Sequence, residues 1–515
     1  MSLTRGVHRS LQQRPNAPAL IHGEATWTFQ ELADRVARLA AGLKTLGLKA
    51  GDPLGIISQN TTTFVEYALV CPWGGFVATP INYRWTVDEI SYQLADSDTS
   101  VLLVDAESAE RARSLRRSHP HLTLISADSS LVADGFIDYE DLISQSGPME
   151  DSRPESNTLA GILYTGGTTG RPKGVMLTHG QIAASCLGAL ASSGSSNLPQ
   201  RILHVGPLYH LAALGAFYQH VMIGSTHVVT DDLSIEGIAS AISAHRVSTT
   251  SLVPTMIQRL VQYVAESSCD LSSLVSLSYG AAPISAPVLQ SVMEILPDLQ
   301  LSQRYGMTEL APIATILRAE DHLDSSHPER RRSVGRAGIH TEIRVIDADN
   351  NELAPGEIGE VIVRGDNVML GYWNRPLETK AVLRDGWMHT GDAGHLDVDG
   401  YLYLVDRLKD MIVTGGENVY SAEVEMVLAT HEAVAACAVI GLPDADWGER
   451  VHAVIVVHAG KSVTTAELRE FCASSIARYK APRSIEFVDQ LPLSAVGKVL
   501  KRALRDERIV APTDA

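Results

Sequence analysis

Short apolar segments alternate with longer segments of helical periodicity from about residue 15 to residue 405. The segment AGILYT (160–165) has the pattern of a strand, and the helix-like segment HGQIAASCLGALAS follows it after a loop. The alternation recurs in RILHVG (201–206), SIEGIASAISAH (234–245), TTSLVP (249–254) and LVSLSYG (274–280). Strands that alternate with helices usually form parallel sheets covered by those helices. The sequence therefore predicts a large α/β body with parallel sheets.

The pattern changes twice after this body. Between Thr341 and Tyr403, short alternating segments separated by turn residues, as in TEIRVIDADNNELAPGEIGEVIVRG, predict the hairpins of a β-rich subdomain. Further on, a helix (SAEVEMVLATH), strands (VAACAVIGL and ERVHAVIVVH) and a helix with a capping box at Thr464 and Glu467 predict a small α+β domain. We therefore expect a large domain over residues 1–408 and a small one over residues 409–515.

The charge and the cysteines exclude several classes of protein. Lys and Arg total 42 against 60 Asp and Glu, a formal net charge of -18, which argues against nucleic acid or an anionic membrane as the main partner. The five cysteines are scattered without CxxC spacing, which favours reduced thiols in the cytoplasm. The N-terminus lacks the apolar core of a signal peptide, and no run of apolar residues predicts a transmembrane segment.

The sharpest local motif is the loop YTGGTTGRPKG (164–174), directly after the strand at 160–165. Its glycines permit tight turns, its threonines supply hydroxyl donors and Lys173 adds a positive charge, all of which suit polyphosphate oxygens. It differs from the P-loop, because no Ser or Thr follows Lys173. Taken alone, such a loop would usually be interpreted as a mobile Gly/Thr surface turn.

This loop is the first of an ordered set of motifs. The others are YGMTE (305–309), WMHTGD (387–392), the segment 406–418 and Gly497-Lys498. In order and spacing the set resembles the adenylate-forming superfamily, and within it the acyl-CoA synthetase branch, over about residues 160–500. The resemblance implies an α/β N-terminal domain with a β-rich subdomain and a mobile α+β C-terminal domain.

The resemblance also implies the reaction of an acid:CoA ligase that uses ATP and Mg²⁺. A carboxylate would attack ATP at the α-phosphorus to give acyl-AMP and pyrophosphate, and the acyl group would then pass to the thiol of CoA. The partners are thus a small carboxylic acid, ATP and CoA, and a homodimer is an open alternative to a monomer.

ATP would be bound by residues from several of these motifs. The resemblance identifies them as Thr165, Gly166, Thr168, Thr169, Gly170, Lys173, Gly280, Ala281, Ala282, Tyr305, Gly306, Thr308, Asp392, Arg407 and Lys498. The loop and Lys173 would hold the β- and γ-phosphates, and Glu309 would ligate Mg²⁺, a hard cation that prefers carboxylate and phosphate oxygens. Asp392 would accept hydrogen bonds from both ribose hydroxyls, because an ionised carboxylate offers two acceptor oxygens.

By the same resemblance, the catalytic residues are Lys498, Glu309, Thr308, His210 and Lys173. Lys498 would reach the acyl carboxylate and stabilise the charge that develops in the first step. The small domain would then rotate about a hinge at Lys409. CoA would be bound by Gly415, Gly416, Trp447, Tyr479 and Arg483.

The acyl pocket would be lined by His210, Tyr279 and Arg304. Arg304 is a departure from the family, because many relatives carry a small residue immediately before the YGMTE motif. If its guanidinium faces the pocket, it would shorten the pocket and could pair with a second carboxylate, as in malonate-activating relatives. It could instead turn to solvent or to an acidic neighbour. We expect a medium-chain fatty or aromatic acid, with a malonate-like dicarboxylate as the alternative.

Three rival functions use the same motifs. A stand-alone adenylation enzyme would load a carrier protein, and a luciferase-like enzyme would oxidise the adenylate. A catalytically inactive nucleotide sensor is disfavoured because Lys173, Glu309, Asp392, Arg407 and Lys498 are all intact.

Overall fold

The computed structural model describes residues 2–165, 171–194, 199–267, 269–280, 282, 284–407, 410–415, 417–493 and 499–510. The chain forms two compact units. The first comprises Met1–Ile343 and Val363–Met388, and the second comprises Arg344–Ile362 and His389–Ala515. The boundary after residue 408 and the hinge at Lys409 stay predictions, and Lys409 lies outside the described residues.

The first unit contains helices of widely different length. They are α1 (Arg5–Gln13), α2 (Phe29–Thr45), α3 (Thr62–Gly74), α4 (Val87–Asp96), α5 (Ala109–Leu115), α6 (Tyr139–Ser144), α7 (His179–Ser192), α8 (Leu211–Ile223), α9 (Ile235–His245), α10 (Pro254–Glu266), α11 (Ala286–Ile295), α12 (Ala319–Leu323) and α13 (Pro376–Val382). No helix in the described ranges is long and apolar enough to cross a membrane.

The strands of the first unit are short. They are β1 (Pro18–His22), β2 (Ala25–Thr28), β3 (Pro53–Ile57), β4 (Val77–Ile81), β5 (Val101–Val104), β6 (Thr123–Ser126), β7 (Ile137–Asp138), β8 (Leu159–Thr165), β9 (Lys173–Thr178), β10 (Arg201–Leu203), β11 (Thr226–Val229), β12 (Thr249–Leu252), β13 (Ser276–Gly280), β14 (Gln300–Tyr305), β15 (Thr315–Leu317), β16 (Arg336–Ala337), β19 (Gly371–Tyr372) and β20 (Leu383–Arg384). Strands β17 (Thr341–Ile346), β18 (Gly359–Gly365) and β21 (Trp387–Leu396) each contain a boundary between the units.

Two sheets organise the first unit. One has the order β16-β15-β14-β13-β12-β10-β11-β1-β2, and the other has the order β19-β9-β8-β4-β3-β5-β6-β7. Their central strands are parallel neighbours, for example β12 with β13 and β3 with β4. Apolar side chains of the strands and the covering helices form the cores on these sheets. The predicted α/β class with parallel sheets is confirmed.

Strand β9 lies where the sequence predicted only a loop. It pairs antiparallel with β8, so that Lys173 stands opposite Thr165. A six-residue segment between a glycine-rich loop and a helix start is too short for its periodicity to identify it. The strands on either side of residues 166–170 are therefore antiparallel neighbours, and their pairing fixes both ends of the loop.

The second unit has its own small sheet and core. Its further elements are β22 (Leu402–Arg407), β23 (Ile412–Thr414), β24 (Glu417–Val419), α14 (Ser421–Leu428), β25 (Val434–Asp444), β26 (Gly448–Val457), α15 (Thr465–Ser475), β27 (Ser484–Phe487) and α16 (Lys501–Val510). The sheet has the order β24-β23-β26-β25, with β27 paired to β26. The predicted capping box begins α15, and such a cap contributes about 1 kcal/mol.

Candidate active site

Lys173 is held at the start of β9. Its Nζ lies 5.1 Å from the centroid of the Tyr372 ring, a cation–π distance. Tyr372 belongs to β19, which pairs antiparallel with β9 and places Tyr372 opposite Val175. The position of the lysine relative to the ring therefore follows from strand pairing.

The YGMTE motif leaves β14 and turns sharply. A Cβ on Gly306 would lie 2.1 Å from the carbonyl oxygen of Pro312, so only glycine fits there. Thr308–Leu310 then form a 3₁₀ turn that buries Glu309, which is 6% exposed. The Tyr372 hydroxyl donates a hydrogen bond of 2.7 Å to Oε1 of Glu309. One tyrosine thus contacts both Lys173 and Glu309.

The donor set at Glu309 fits a magnesium ion that is shared with a nucleotide. Within the described part of the chain, no cluster of three or more His, Cys, Asp or Glu side chains forms a complete protein cage for a metal. Nucleotide-bound Mg²⁺ typically takes one or two carboxylates from the protein and its other ligands from phosphates and water. A single buried carboxylate with one oxygen already oriented suits that chemistry.

The end of β13 runs close to the neighbouring strand β14. Gly280 stands beside Arg304 in the parallel register, and a Cβ on Gly280 would lie 2.5 Å from the carbonyl oxygen of Arg304. The close approach of the two strands therefore requires glycine. Ala282 is exposed. Tyr279 points into the core of the sheet, where its hydroxyl lies 2.8 Å from Nε2 of His322.

Arg304 turns inward. Its Nη1 donates a 3.0 Å hydrogen bond to Oε1 of Gln219 on α8, and its Nε is fully buried without a hydrogen-bond partner. Burial lowers the pKa of the guanidinium to about 10. Among the described residues, no carboxylate forms an ion pair with it. The side chain therefore bonds to a neutral amide rather than to an acidic neighbour, and the residue is half-buried.

His210 precedes the first residue of α8. Its carbonyl oxygen accepts hydrogen bonds from the backbone of Ala213 and Leu214, and its ring centroid lies 4.4 Å from that of Tyr209. Gln219, the partner of Arg304, lies on the same helix about two and a half turns further along. His210 and Arg304, two of the three residues predicted at the acyl pocket, thus share α8 as a common support, whereas Tyr279 packs in the core beside His322.

Asp392 and Arg407 form an ion pair in the second unit. They are direct neighbours in the antiparallel pairing of β21 with β22, and Nε of Arg407 lies 2.6 Å from Oδ1 of the buried Asp392. The adjacent Asp406 accepts hydrogen bonds from Ser421 Oγ (2.5 Å) and from the Ala422 backbone (3.2 Å). Asp406 therefore ties β22, which carries Arg407, to the beginning of α14.

Three of the residues predicted to bind CoA come together. Gly415 donates a backbone hydrogen bond to the carbonyl of Trp447, and the Arg483 guanidinium lies 4.0 Å from the centroid of the Trp447 ring. Gly415 has a φ of +60°, and a Cβ there would come within 2.6 Å of that ring, so glycine is required. Trp447 is 44% exposed, and Tyr479 is exposed as well.

Some predicted site residues lie outside the described residues. These are Gly166, Thr168, Thr169, Gly170, Ala281, Lys409, Gly416 and Lys498. Sequence reasoning in turn did not identify Tyr372, Gln219 or Asp406. Asp406 had a signal, because it begins the motif segment 406–418, whereas Tyr372 and Gln219 look like ordinary core residues of short apolar segments.

Comparison with known proteins identifies the family. A model described as AMP-binding enzyme matches residues 7–373, and one described as AMP-binding enzyme C-terminal domain matches residues 423–498. The chain belongs to the AMP-binding enzyme family. Within the adenylate-forming superfamily it falls in the acid:CoA ligase branch, and it is an AMP-forming acid–thiol ligase.

Three relatives illustrate the range of this branch. A feruloyl-CoA synthase from Amycolatopsis is 38% identical over 503 residues, covering 96% of this chain and 97% of its own length. A fatty acid–acyl-carrier-protein ligase, ScoC from Streptomyces coeruleorubidus, is 33% identical over 502 residues, covering 96% and 94%. The structure of o-succinylbenzoate CoA synthetase from Bacillus subtilis, in complex with its acyl-adenylate, has a TM-score of 0.85 at 31% identity and covers 99% of this chain and 98% of its own.

Proposed function

We propose that this ligase activates an aromatic or medium-chain carboxylic acid with ATP and Mg²⁺ and transfers the acyl group to CoA. The observation that carries the proposal is the contact of Tyr372 with both Lys173 and Glu309. A cation suited to phosphate oxygens and a carboxylate suited to Mg²⁺ thereby contact the same tyrosine, the cation at its ring and the carboxylate at its hydroxyl. Pyrophosphate release and thioester formation, measured with CoA, with a carrier protein and with neither, test it.

In the proposed first step, the acid's carboxylate oxygen attacks the α-phosphorus of ATP and the bond to pyrophosphate breaks. Lys173 and the loop hold the departing phosphates, Thr308 bonds the α-phosphate, and Mg²⁺ held by Glu309 would neutralise phosphate charge. Asp392, oriented by its ion pair with Arg407, accepts the ribose hydroxyls. No protein nucleophile is required, so positioning and electrostatics supply the rate.

In the proposed second step, the CoA sulfur attacks the acyl carbonyl carbon, AMP leaves and the thiol proton is released. Trp447 with the stacked Arg483 offers an exposed aromatic face and a cation, which suit the base and phosphates of a nucleotide. The relative ScoC acts on an acyl-carrier protein. A carrier protein is therefore the second candidate acceptor, and it would not need this pair.

Loss of either partner of this pair should weaken CoA binding alone. We expect Trp447→Ala and Arg483→Ala to raise the KM for CoA by roughly 2- to 30-fold, the scale of a lost cation–π contact. Pyrophosphate release without CoA should stay at the wild-type rate. Phe487→Ala, which removes another exposed aromatic side chain of the second unit, serves as the control. An unchanged KM in both variants would exclude this pair from the CoA site.

Arg304 bears on the choice of acid. Burial of a guanidinium costs free energy when its Nε has no hydrogen-bond partner and no carboxylate pairs with it, unless a ligand supplies the missing hydrogen bond. An acid with a polar group at its far end, such as a hydroxylated aromatic acid or a dicarboxylate, would do so. The names of two relatives, feruloyl-CoA synthase and o-succinylbenzoate CoA synthetase, are compatible with such acids. We therefore place substituted aromatic acids first.

Replacing Arg304 should change the acid profile. We expect Arg304→Gly to change the ratio of two kcat/KM values. The ratio of kcat/KM for longer or bulkier monoacids to kcat/KM for polar acids should rise roughly tenfold or more, because empty space replaces a charged group. The KM for ATP should stay near wild type. A panel of acids assayed by pyrophosphate release measures both, with the exposed Arg318→Gly as control. An identical profile would place the side chain outside the pocket.

A further inference from the structure

We propose that Tyr372 is a positioning residue that contacts Lys173 through its ring and Glu309 through its hydroxyl and orients each for its part of the Mg²⁺–triphosphate group. This inference rests on the proposed roles of Lys173 and Glu309. It adds a residue from outside the motif set, on a strand that the sequence did not single out.

The hydroxyl orients the carboxylate. It donates to Oε1 of Glu309 at 2.7 Å, and among the described residues no hydrogen bond reaches Oε2. A carboxylate with one oxygen held by a donor presents the other in a fixed direction. Hydrogen bonds to a metal ligand of this kind typically affect metal affinity by roughly 10- to 100-fold.

The ring is the neighbour of the lysine ammonium. Within the described part of the chain, Lys173 forms no ion pair, and its Nζ lies 5.1 Å from the centroid of the Tyr372 ring. A direct contact between Lys173 and Glu309 would satisfy both groups and leave neither for a ligand. With the aromatic ring as its neighbour, the ammonium keeps its charge available for phosphate oxygens.

The strand that carries Tyr372 is anchored on both sides. The Tyr372 backbone donates to Thr379 Oγ1 (2.9 Å), and the Trp373 backbone donates to the carbonyl of Gly174 (2.7 Å). The Trp373 indole donates to the carbonyl of Asp96 (2.8 Å), whose carboxylate accepts from the Tyr164 hydroxyl (2.6 Å). The ring is 7% exposed. The tyrosine is thus fixed before any ligand binds.

The test separates the hydroxyl from the ring. Tyr372→Phe keeps the ring and removes the hydrogen bond, so we expect Mn²⁺, used as the probe in place of Mg²⁺, to bind the enzyme–ATP complex about 10-fold or more weakly by calorimetry and electron paramagnetic resonance. Metal-free ATP binding should be near wild type in this variant. Tyr372→Leu should weaken both, because the contact with Lys173 is lost as well.

Two further variants make the result decisive. Tyr67→Phe removes the hydroxyl of another buried tyrosine, which donates to the carbonyl of Leu54, and should leave Mn²⁺ binding unchanged. In the Glu309→Gln background, Tyr372→Phe should have no further effect on Mn²⁺ binding. Wild-type Mn²⁺ affinity in Tyr372→Phe would overturn the inference. Wild-type affinity in Glu309→Gln itself would instead overturn the proposed role of Glu309.

Discussion

Lys498→Ala should slow formation of the acyl-adenylate by roughly 10² to 10⁴, the scale for removing one preorganised electrostatic contact. The proposed role of this lysine is to stabilise charge on the carboxylate and the ribose oxygen while the α-phosphorus is attacked. In the proposed mechanism it has no part in thiol attack, so the second step should keep its wild-type rate.

Two assays separate the steps. Pyrophosphate release reports the first, and thioester formation from synthetic acyl-AMP and CoA reports the second. Lys461→Ala is the matched control, because Lys461 belongs to the same unit and forms an exposed ion pair with Glu432, a contact of little energetic value. If Lys498→Ala loses both steps equally, the proposed division of labour between two domain orientations is wrong.

Glu309→Gln should reduce adenylation by roughly 10² and shift its Mg²⁺ requirement to higher concentration. The amide keeps the shape of the side chain but removes the charge that a hard cation requires, a loss of several kcal/mol of electrostatic stabilisation. The turn itself should survive, because the backbone carbonyl of Glu309 still accepts from Met369.

The measurement is pyrophosphate release titrated with Mg²⁺ at saturating ATP. Glu320→Gln serves as control, since that carboxylate is 69% exposed and, among the described residues, pairs with Arg318 alone. A normal Mg²⁺ dependence in Glu309→Gln would remove Glu309 from the metal site and leave the family membership untouched.

The local elements and the reaction class could be predicted from the sequence alone. AGILYT and HGQIAASCLGALAS became β8 and α7, and the Thr464–Glu467 capping box begins α15 as expected. These predictions succeeded because periodicity and caps are properties of consecutive residues. The ordered motif set identified the family because its residue types and spacing are themselves properties of the sequence.

Only the tertiary structure decided which distant side chains meet. Arg304 bonds to Gln219, and Tyr372 contacts both Lys173 and Glu309. Neither contact has a local signal, because each depends on how strands and helices far apart in the chain pair and bury their side chains. Short strands such as β9 and β19 are themselves products of that pairing, since a segment of a few residues is a strand only when a neighbour supplies its hydrogen bonds.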